Sequence, residues 1–138
     1  MSTLLIKVFK QLSKQRITYL KNLLKSDMDQ INYADFAKVE FKIGEIKDAT
    51  KVDGSEKLIR MQVDFGEEKE RVVFSGIQKW YSPEELINKK TVFVTNVIPR
   101  KIMGEMSEAM IFAAENEGDE MVSILFLDKD VKNGSKVF

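Results

Sequence analysis

The sequence of 138 residues contains neither cysteine nor histidine. Without cysteine, a disulfide framework and a thiolate metal site are both excluded. Without histidine, the chain also lacks the commonest general base and the commonest transition-metal ligand. An enzyme of this composition would have to work with carboxylates, lysine, tyrosine, serine or threonine. We therefore expect no catalytic residues, no metal and no cofactor.

Glycine-rich phosphate loops and long apolar runs are missing as well. The seven glycines are scattered singly, and no G-x-G-x-x-G or Walker sequence is present, so a nucleotide-phosphate cradle has no support. No apolar run approaches the length that spans a bilayer, and lysines interrupt the apolar start of the chain. The sequence therefore predicts an unprocessed, cytoplasmic protein the size of one domain.

The charge is zero overall but unevenly distributed. Residues 1–26 have a net charge of +6 and the remainder has −6. Apolar residues recur in this basic segment at roughly helical spacing, with a slip near residues 15–18. We predict a basic helical arm over residues 1–30, as one bent helix or two short ones. RNA attraction, packing on the barrel or a partner protomer, and binding to an anionic membrane surface are its possible roles, and we favour packing with the lysines directed toward RNA.

From residue 31 onward, the residue pattern indicates short strands separated by turns. The alternation of apolar and polar residues predicts strands near residues 39–46, 58–65, 71–74, 91–97, 110–114 and 121–127. Gly44 is expected to mark a bend or bulge. Ser82 followed by Pro83 and two glutamates predicts the start of a short helix. Five or six short strands with one small helix indicate an all-β barrel over residues 31–138.

Five blocks in this region are Phe36–Ile46, Gly54–Leu58, Phe74–Ile77, Asn96–Gly104 and Leu127–Val137. In this order and spacing they resemble the tRNA-binding domain family, and the resemblance covers residues 33–138. The family includes the C-terminal domain of methionyl-tRNA synthetase, a free-standing structure-specific tRNA-binding protein, the endothelial monocyte-activating polypeptide and a secretion-chaperone-like homologue. The resemblance implies a five-stranded OB-fold barrel that binds tRNA mainly by shape and forms a homodimer when free-standing.

The resemblance and the local chemistry together suggest eight RNA-binding residues: Lys42, Lys57, Arg60, Asn96, Arg100, Lys101, Ser107 and Met110. Lys42 alternates with apolar positions and is expected to point out of the first strand. Arginine is suited to bidentate phosphate contacts, and Ser107 is suited to donate a hydrogen bond to phosphate or ribose. The alternatives are a solvated lysine, an ordinary ion-paired arginine and a core methionine.

Three further features have mainly structural interpretations. Glu108 departs from the family, which commonly has Gln and then Gly or Ala before Met110, and an acid facing tRNA would repel phosphate. Trp80 and Tyr81 are suited to base stacking, but their place before a short helix favours core or interface packing. The paired acids at 67–68 and 84–85 are expected to be solvated, since adjacent side chains diverge.

Two functions remain open. The first is a non-catalytic tRNA-binding module, an accessory domain or beta subunit of methionyl-tRNA synthetase, with tRNA and the catalytic chain as partners. The second is a chaperone-like protein-binding role, which the charge of −6 outside the arm keeps open because nucleic-acid modules are usually more basic. No constellation of residues supports a third interpretation as an enzyme.

Overall fold

The computed structural model describes residues 14–28, 30–118 and 120–138. Contacts divide the chain into two units, with the division between Phe36 and Ala37, whereas the sequence suggested residues 30 and 31. In the first unit, α1 (Lys14–Met28) is continuous through the predicted slip, and α2 (Tyr33–Phe36) is one turn. The predicted arm before residue 14 lies outside the described residues. No helix within the described ranges has the length and apolarity needed to cross a membrane.

The second unit is an antiparallel barrel, as predicted. Its elements are β1 (Phe41–Lys51), β2 (Ile59–Asp64), β3 (Arg71–Ser75), α3 (Pro83–Leu86), β4 (Lys90–Val94), β5 (Arg100–Ile102), β6 (Glu105–Ser107), β7 (Met110–Ile111), β8 (Ala113–Glu115) and β9 (Val122–Ile124). Five strands form the main sheet in the order β3-β2-β1-β4-β7. The hairpins β5–β6 and β8–β9 are separate two-stranded sheets. The fold class is therefore the all-β, five-stranded barrel that the sequence indicated.

The core follows from the alternation of residues along the strands. In β2, Ile59, Met61 and Val63 are fully buried while the intervening residues are half-exposed. Phe93 of β4 is also fully buried, and its ring meets Phe65 edge-on with 5.2 Å between centroids. Each such side chain contributes about 1.5–3 kcal/mol through burial. These contacts stabilise the curved sheet that carries the loops and hairpins.

β1 has a bulge, but the bulge is not at Gly44 as predicted. The pairing of β1 with β2 shifts register between Ile46 and Asp48, which marks the bulge. Gly44 is regular strand, and a Cβ on it would lie 2.5 Å from Cγ1 of Val63. Close packing inside the barrel therefore requires glycine at position 44. The sequence alone does not distinguish this requirement from that of a bend.

The remaining elements agree with the sequence in part. The short helix begins where predicted, and the Glu85 carboxylate accepts the backbone N–H of Ser82 at 2.7 Å. The predicted strand over residues 110–114 is divided between β7 and β8. The β5–β6 hairpin was not predicted, because that stretch was interpreted as a loop.

Candidate nucleic-acid interface

The β5–β6 hairpin carries two of the predicted site residues on a strand. Its two-residue turn, at Met103 and Gly104, has φ values of 51° and 84°, which suits a tight hairpin connection. The register places Arg100 opposite Ser107, and it places Lys101 opposite Met106. Arg100 and Lys101 are both exposed. Their prediction as loop residues is thus corrected, and the strand gives their side chains opposite directions.

Ser107 and Glu108 close the barrel along the free edge of β3. The Ser107 hydroxyl accepts the backbone N–H of Phe74 at 3.1 Å, and the residue is only 7% exposed. The Glu108 carboxylate accepts the N–H of Val72 at 2.8 Å, and its own N–H donates to the Val72 carbonyl at 2.8 Å. Glu108 is therefore held in the seam of the barrel, where its charge satisfies a backbone donor.

A first groove lies between the end of β3 and the segment from Val97 to Ile111. It has a volume of about 280 Å³, and its lining includes the predicted residues Arg100, Ser107 and Met110. Its other walls are largely apolar, and Phe74, Ser75 and Gly76 form the edge contributed by β3. Met110 is 57% exposed, so it is not a core residue. Three side chains that the sequence singled out thus meet at one concave surface.

A second groove adjoins the first at Gly76, which lines both. This groove has a volume of about 740 Å³, and its lining includes Lys57, Lys79 and Trp80 together with the acidic residues Glu56 and Glu115. Lys79 is exposed, and its ammonium lies 5.3 Å from the centroid of the Trp80 ring. Lys79 was not among the predicted site residues. The two grooves together form a path bounded by Arg100 at one end and by lysines at the other.

Arg60 is engaged in an ion pair away from both grooves. Its guanidinium donates to both carboxylate oxygens of Glu105, at 2.8 and 2.7 Å, and so joins β2 to the β5–β6 hairpin. These hydrogen bonds raise the pKa of Arg60 and lower the pKa of Glu105. A bidentate pair of this kind positions the hairpin, and its positive charge is compensated within the protein.

Lys42 does not point outward as its neighbours suggested. It pairs with Phe93 across the sheet, and directly opposed residues share one face, so Lys42 lies on the core-facing side at the end of β1. Its ammonium is 3.5 Å from the Glu40 carboxylate. The Thr95 hydroxyl hydrogen bond and Lys42 lower the pKa of Glu40. The apolar residues that misled the prediction, Phe41 and Ile43, lie on the opposite face.

Asn96 is bound to the main chain at both ends of its amide. Its oxygen accepts the N–H of Glu40 at 2.8 Å, and its nitrogen donates to the carbonyl of Lys38 at 2.7 Å. These two bonds fasten the segment that enters β1 to the end of β4. In this arrangement Asn96 shapes a loop and has no place in either groove.

Arg71 holds the barrel end and was missed by the sequence analysis. Its guanidinium donates to both oxygens of Glu67, at 2.8 and 2.9 Å, and to the Thr95 and Glu108 carbonyls, at 2.7 and 3.2 Å. Hydrogen bonding to Arg71 lowers the pKa of Glu67. Alternation offered a signal, because Arg71 shares a strand face with the buried Val73.

The aromatic pair before α3 packs as predicted. Trp80 and Tyr81 are half-buried against the core, and the Tyr81 hydroxyl accepts the N–H of Ile124 at 2.9 Å. Among residues 14–28, 30–118 and 120–138, no group of three or more acidic, cysteine or histidine side chains is arranged to hold a metal ion. The chemistry available at the grooves is therefore hydrogen bonding, apolar contact and charge, from Arg100 in the first groove and from side chains of both signs in the second.

Known sequences that resemble this chain are tRNA-binding domains and methionine–tRNA ligases. The sequence model of a family described as "Putative tRNA binding domain" matches residues 41–136. The chain is 45% identical over 126 residues to a methionine–tRNA ligase of Caldanaerobacter subterraneus, covering 91% of this chain and 19% of that protein. It is 37% identical to the methionine–tRNA ligase of Methanocaldococcus jannaschii, covering 94% of this chain and 21% of that protein. The chain thus spans about a fifth of the length of these relatives.

Solved structures share the barrel. A methionyl-tRNA synthetase related protein from Pyrococcus horikoshii aligns with a TM-score of 0.75 and 36% identity, over 80% of this chain and all of that one. The chaperone CsaA from Bacillus anthracis aligns with a TM-score of 0.71 and 29% identity, over 79% of this chain and 99% of that one. These matches show that the barrel is shared with proteins of this group.

Proposed function

The chain belongs to the tRNA-binding domain family, and from this premise we propose that its barrel binds tRNA along the two grooves that meet at Gly76. The observation that supports this proposal is the shared lining of the grooves. Basic side chains lie at both ends of the path, Arg100 on one side and Lys57 with Lys79 on the other. Basic side chains along one concave surface suit contacts to the phosphates of an RNA strand.

The proposed path resolves the conflict between an acidic barrel and an anionic ligand. Two of the predicted basic residues, Lys42 and Arg60, have acidic partners within the barrel. In contrast, no ion pair involves Lys57, Lys79 or Arg100 within the described part of the chain. Since local charge decides what a surface attracts, the net charge of the barrel is a poor guide to this face. Lys101 lies on the opposite side of β5 from Arg100 and lines neither groove.

We further propose that the module serves methionyl-tRNA synthetase without chemistry of its own. It would act in the cytoplasm, contribute phosphate and ribose contacts, and leave aminoacylation to the catalytic chain. Holding tRNA beside that chain raises its effective concentration there, which increases overall affinity with no new catalytic contact. The exposed Lys14 and Lys21 of α1 would add attraction that is strongest at low salt.

A homodimer is part of the same proposal. Leu125, Phe126 and Val131 are large apolar side chains exposed on the barrel, and exposed apolar surface is a candidate for burial against a second copy. A dimer would present two sets of grooves to tRNA. Sedimentation equilibrium across a range of protein concentrations tests this, and a monomer at every concentration would remove this part of the proposal.

The decisive experiment is a titration of fluorescent tRNA followed by anisotropy at two salt concentrations. We expect Lys57→Ala with Arg100→Ala to weaken binding at low salt and to reduce the slope of log affinity against log salt by about 2, since each phosphate contact contributes about 1. The matched control is Lys129→Ala, an exposed lysine outside both grooves. Equal losses in the double variant and the control would place the RNA on another face. No binding by the wild-type protein at low salt would refute RNA binding itself.

A second candidate function follows from the exposed methionines in and just after the β5–β6 hairpin. Met103 and Met106 of the hairpin and Met110 of β7 are all exposed, and methionine side chains adapt to varied polypeptides. The alignment with the chaperone CsaA also favours a polypeptide-binding role. Competition separates the two functions: an unfolded peptide that displaces tRNA at equal affinity, with little salt dependence, would favour the polypeptide.

A further inference from the structure

We propose that the first groove takes a single unstacked nucleotide base, held through its hydrogen-bonding edge by main-chain groups of Phe74 and Gly76. This proposal rests on the RNA binding proposed above and names the part of the RNA that enters. It predicts that the barrel distinguishes RNA with an unpaired nucleotide from a continuous duplex, a distinction that phosphate contacts alone do not make.

The first observation is that neither backbone conformation nor packing explains why residue 76 is glycine. Of the seven glycines, five have φ values between +74° and +84°, where glycine is favoured, and Gly44 is confined by the core. Gly76 has neither property: its φ is not in the left-handed region, and nothing lies within 4 Å of the position that a Cβ would occupy. The fold itself therefore does not require glycine at this position. A remaining reason for glycine is the close approach of a ligand to the backbone.

The second observation is the unfinished edge of β3. Val72 and Phe74 direct backbone groups toward Glu108 and Ser107, away from β2, so the Phe74 carbonyl also faces that edge. Ser75, the last residue of β3, is paired with Ile59 of β2, so its carbonyl faces β2. The N–H of Gly76 lies on the other side of the same trans peptide and therefore faces the free edge. Within the described residues, the Phe74 carbonyl and the Gly76 N–H have no hydrogen-bond partner. One acceptor and one donor are thus left open where the first groove lies.

The third observation is the character of the groove itself. Its volume of about 280 Å³ falls just below the range of roughly 300–1,000 Å³ that holds drug-sized ligands, so it suits one flat ring system. Val97, Ile98, Ile111 and Met110 provide apolar walls, which suit the faces of an unstacked base. Arg100 lies in the same lining, where the phosphate of that nucleotide would emerge.

The open pair matches the chemistry of a base edge. Adenine and cytosine each present an amino donor beside a ring-nitrogen acceptor, which complement the Phe74 carbonyl and the Gly76 N–H respectively. Guanine and uracil present a ring N–H beside a carbonyl, and meet the same pair of groups when the base is turned over. The groove therefore requires a base that is free of its own partner, and it selects weakly among the four.

Two hairpin RNAs test this, identical except that one carries a single unpaired adenosine in its stem. By anisotropy, the wild-type protein is expected to bind the bulged RNA about tenfold more tightly, which corresponds to 1.4 kcal/mol. Gly76→Ala places a methyl group in the groove without disturbing the fold, and it should bind both RNAs with the lower affinity. The matched control is Ala114→Val, which adds bulk on an exposed strand outside the groove and should retain the preference.

A second measurement is independent of any variant. In ¹⁵N-labelled wild-type protein titrated with the bulged RNA, the Gly76 amide proton should move downfield as it becomes a hydrogen-bond donor, while the Gly118 amide should stay in place. Equal wild-type affinity for the two RNAs, or an unmoved Gly76 amide at saturation, would overturn the base site and leave tRNA binding standing. Absence of binding to both RNAs and to tRNA at low salt would overturn both proposals together.

Discussion

The Ser107 hydroxyl provides the sharpest test of how the barrel is closed. It accepts the Phe74 N–H at 3.1 Å in a buried setting, and no water can replace it without entering the seam. Ser107→Ala leaves a buried backbone donor unsatisfied, which costs about 1–3 kcal/mol. For a chain of this size, that lowers the melting temperature by roughly 4 °C for each kcal/mol.

Urea unfolding followed by circular dichroism measures the loss, and it should appear as a lower midpoint with an unchanged slope. Ser123→Ala is the matched control, since its exposed hydroxyl donates only to the next carbonyl along the chain, at 3.3 Å, and its loss should cost less than about 0.5 kcal/mol. A Ser107 variant as stable as this control would refute the closure described here. Ser107 would then be available for the direct RNA contact that the sequence suggested.

Three further predictions concern stability. Gly104→Ala should cost about 1–2 kcal/mol from its positive φ alone, whereas Gly134→Ala should cost more, because its Cβ would also collide with a backbone carbonyl. Arg71→Met should cost about 2–3 kcal/mol, against at most about 1 kcal/mol for Lys47→Met in a surface ion pair. The Glu67 carboxylate, whose pKa is lowered by Arg71, contributes stability that is complete above its unfolded pKa of about 4.5 and is lost as pH falls through its folded pKa.

Each of these has a simple contradicting result. The first prediction would be wrong if thermal unfolding showed that Gly104→Ala and Gly134→Ala lose equal stability. Urea unfolding would contradict the second if Arg71→Met and the lysine variant cost the same. For the third, unfolding free energies between pH 6 and pH 3 should fall less steeply in Arg71→Met than in the wild type, and identical slopes would show that Glu67 gains nothing from Arg71.

Local sequence was sufficient for most strands, for the turns and for the helix start. The hairpin of β2 and β3 follows from alternation on either side of Gly66, whose φ of +74° the turn requires. The β5–β6 hairpin could not be found in this way, because its two strands are only three residues each. Strands this short show almost no alternation of apolar and polar residues. They are defined by their pairing with each other and by their packing on β3.

The amino-acid sequence by itself determined the class of this protein: an all-β barrel without cysteine or histidine, and with ordered blocks that resemble a tRNA-binding domain. It also supplied Lys57, Arg100 and Met110, which lie in the grooves. Only the tertiary structure decided which polar groups are already engaged. The partner of Arg60 lies 45 residues away along the chain, and the Asn96 amide is bound to a segment more than 50 residues before it. Whether a side chain is free to meet a ligand depends on such distant neighbours, and sequence spacing does not contain that information.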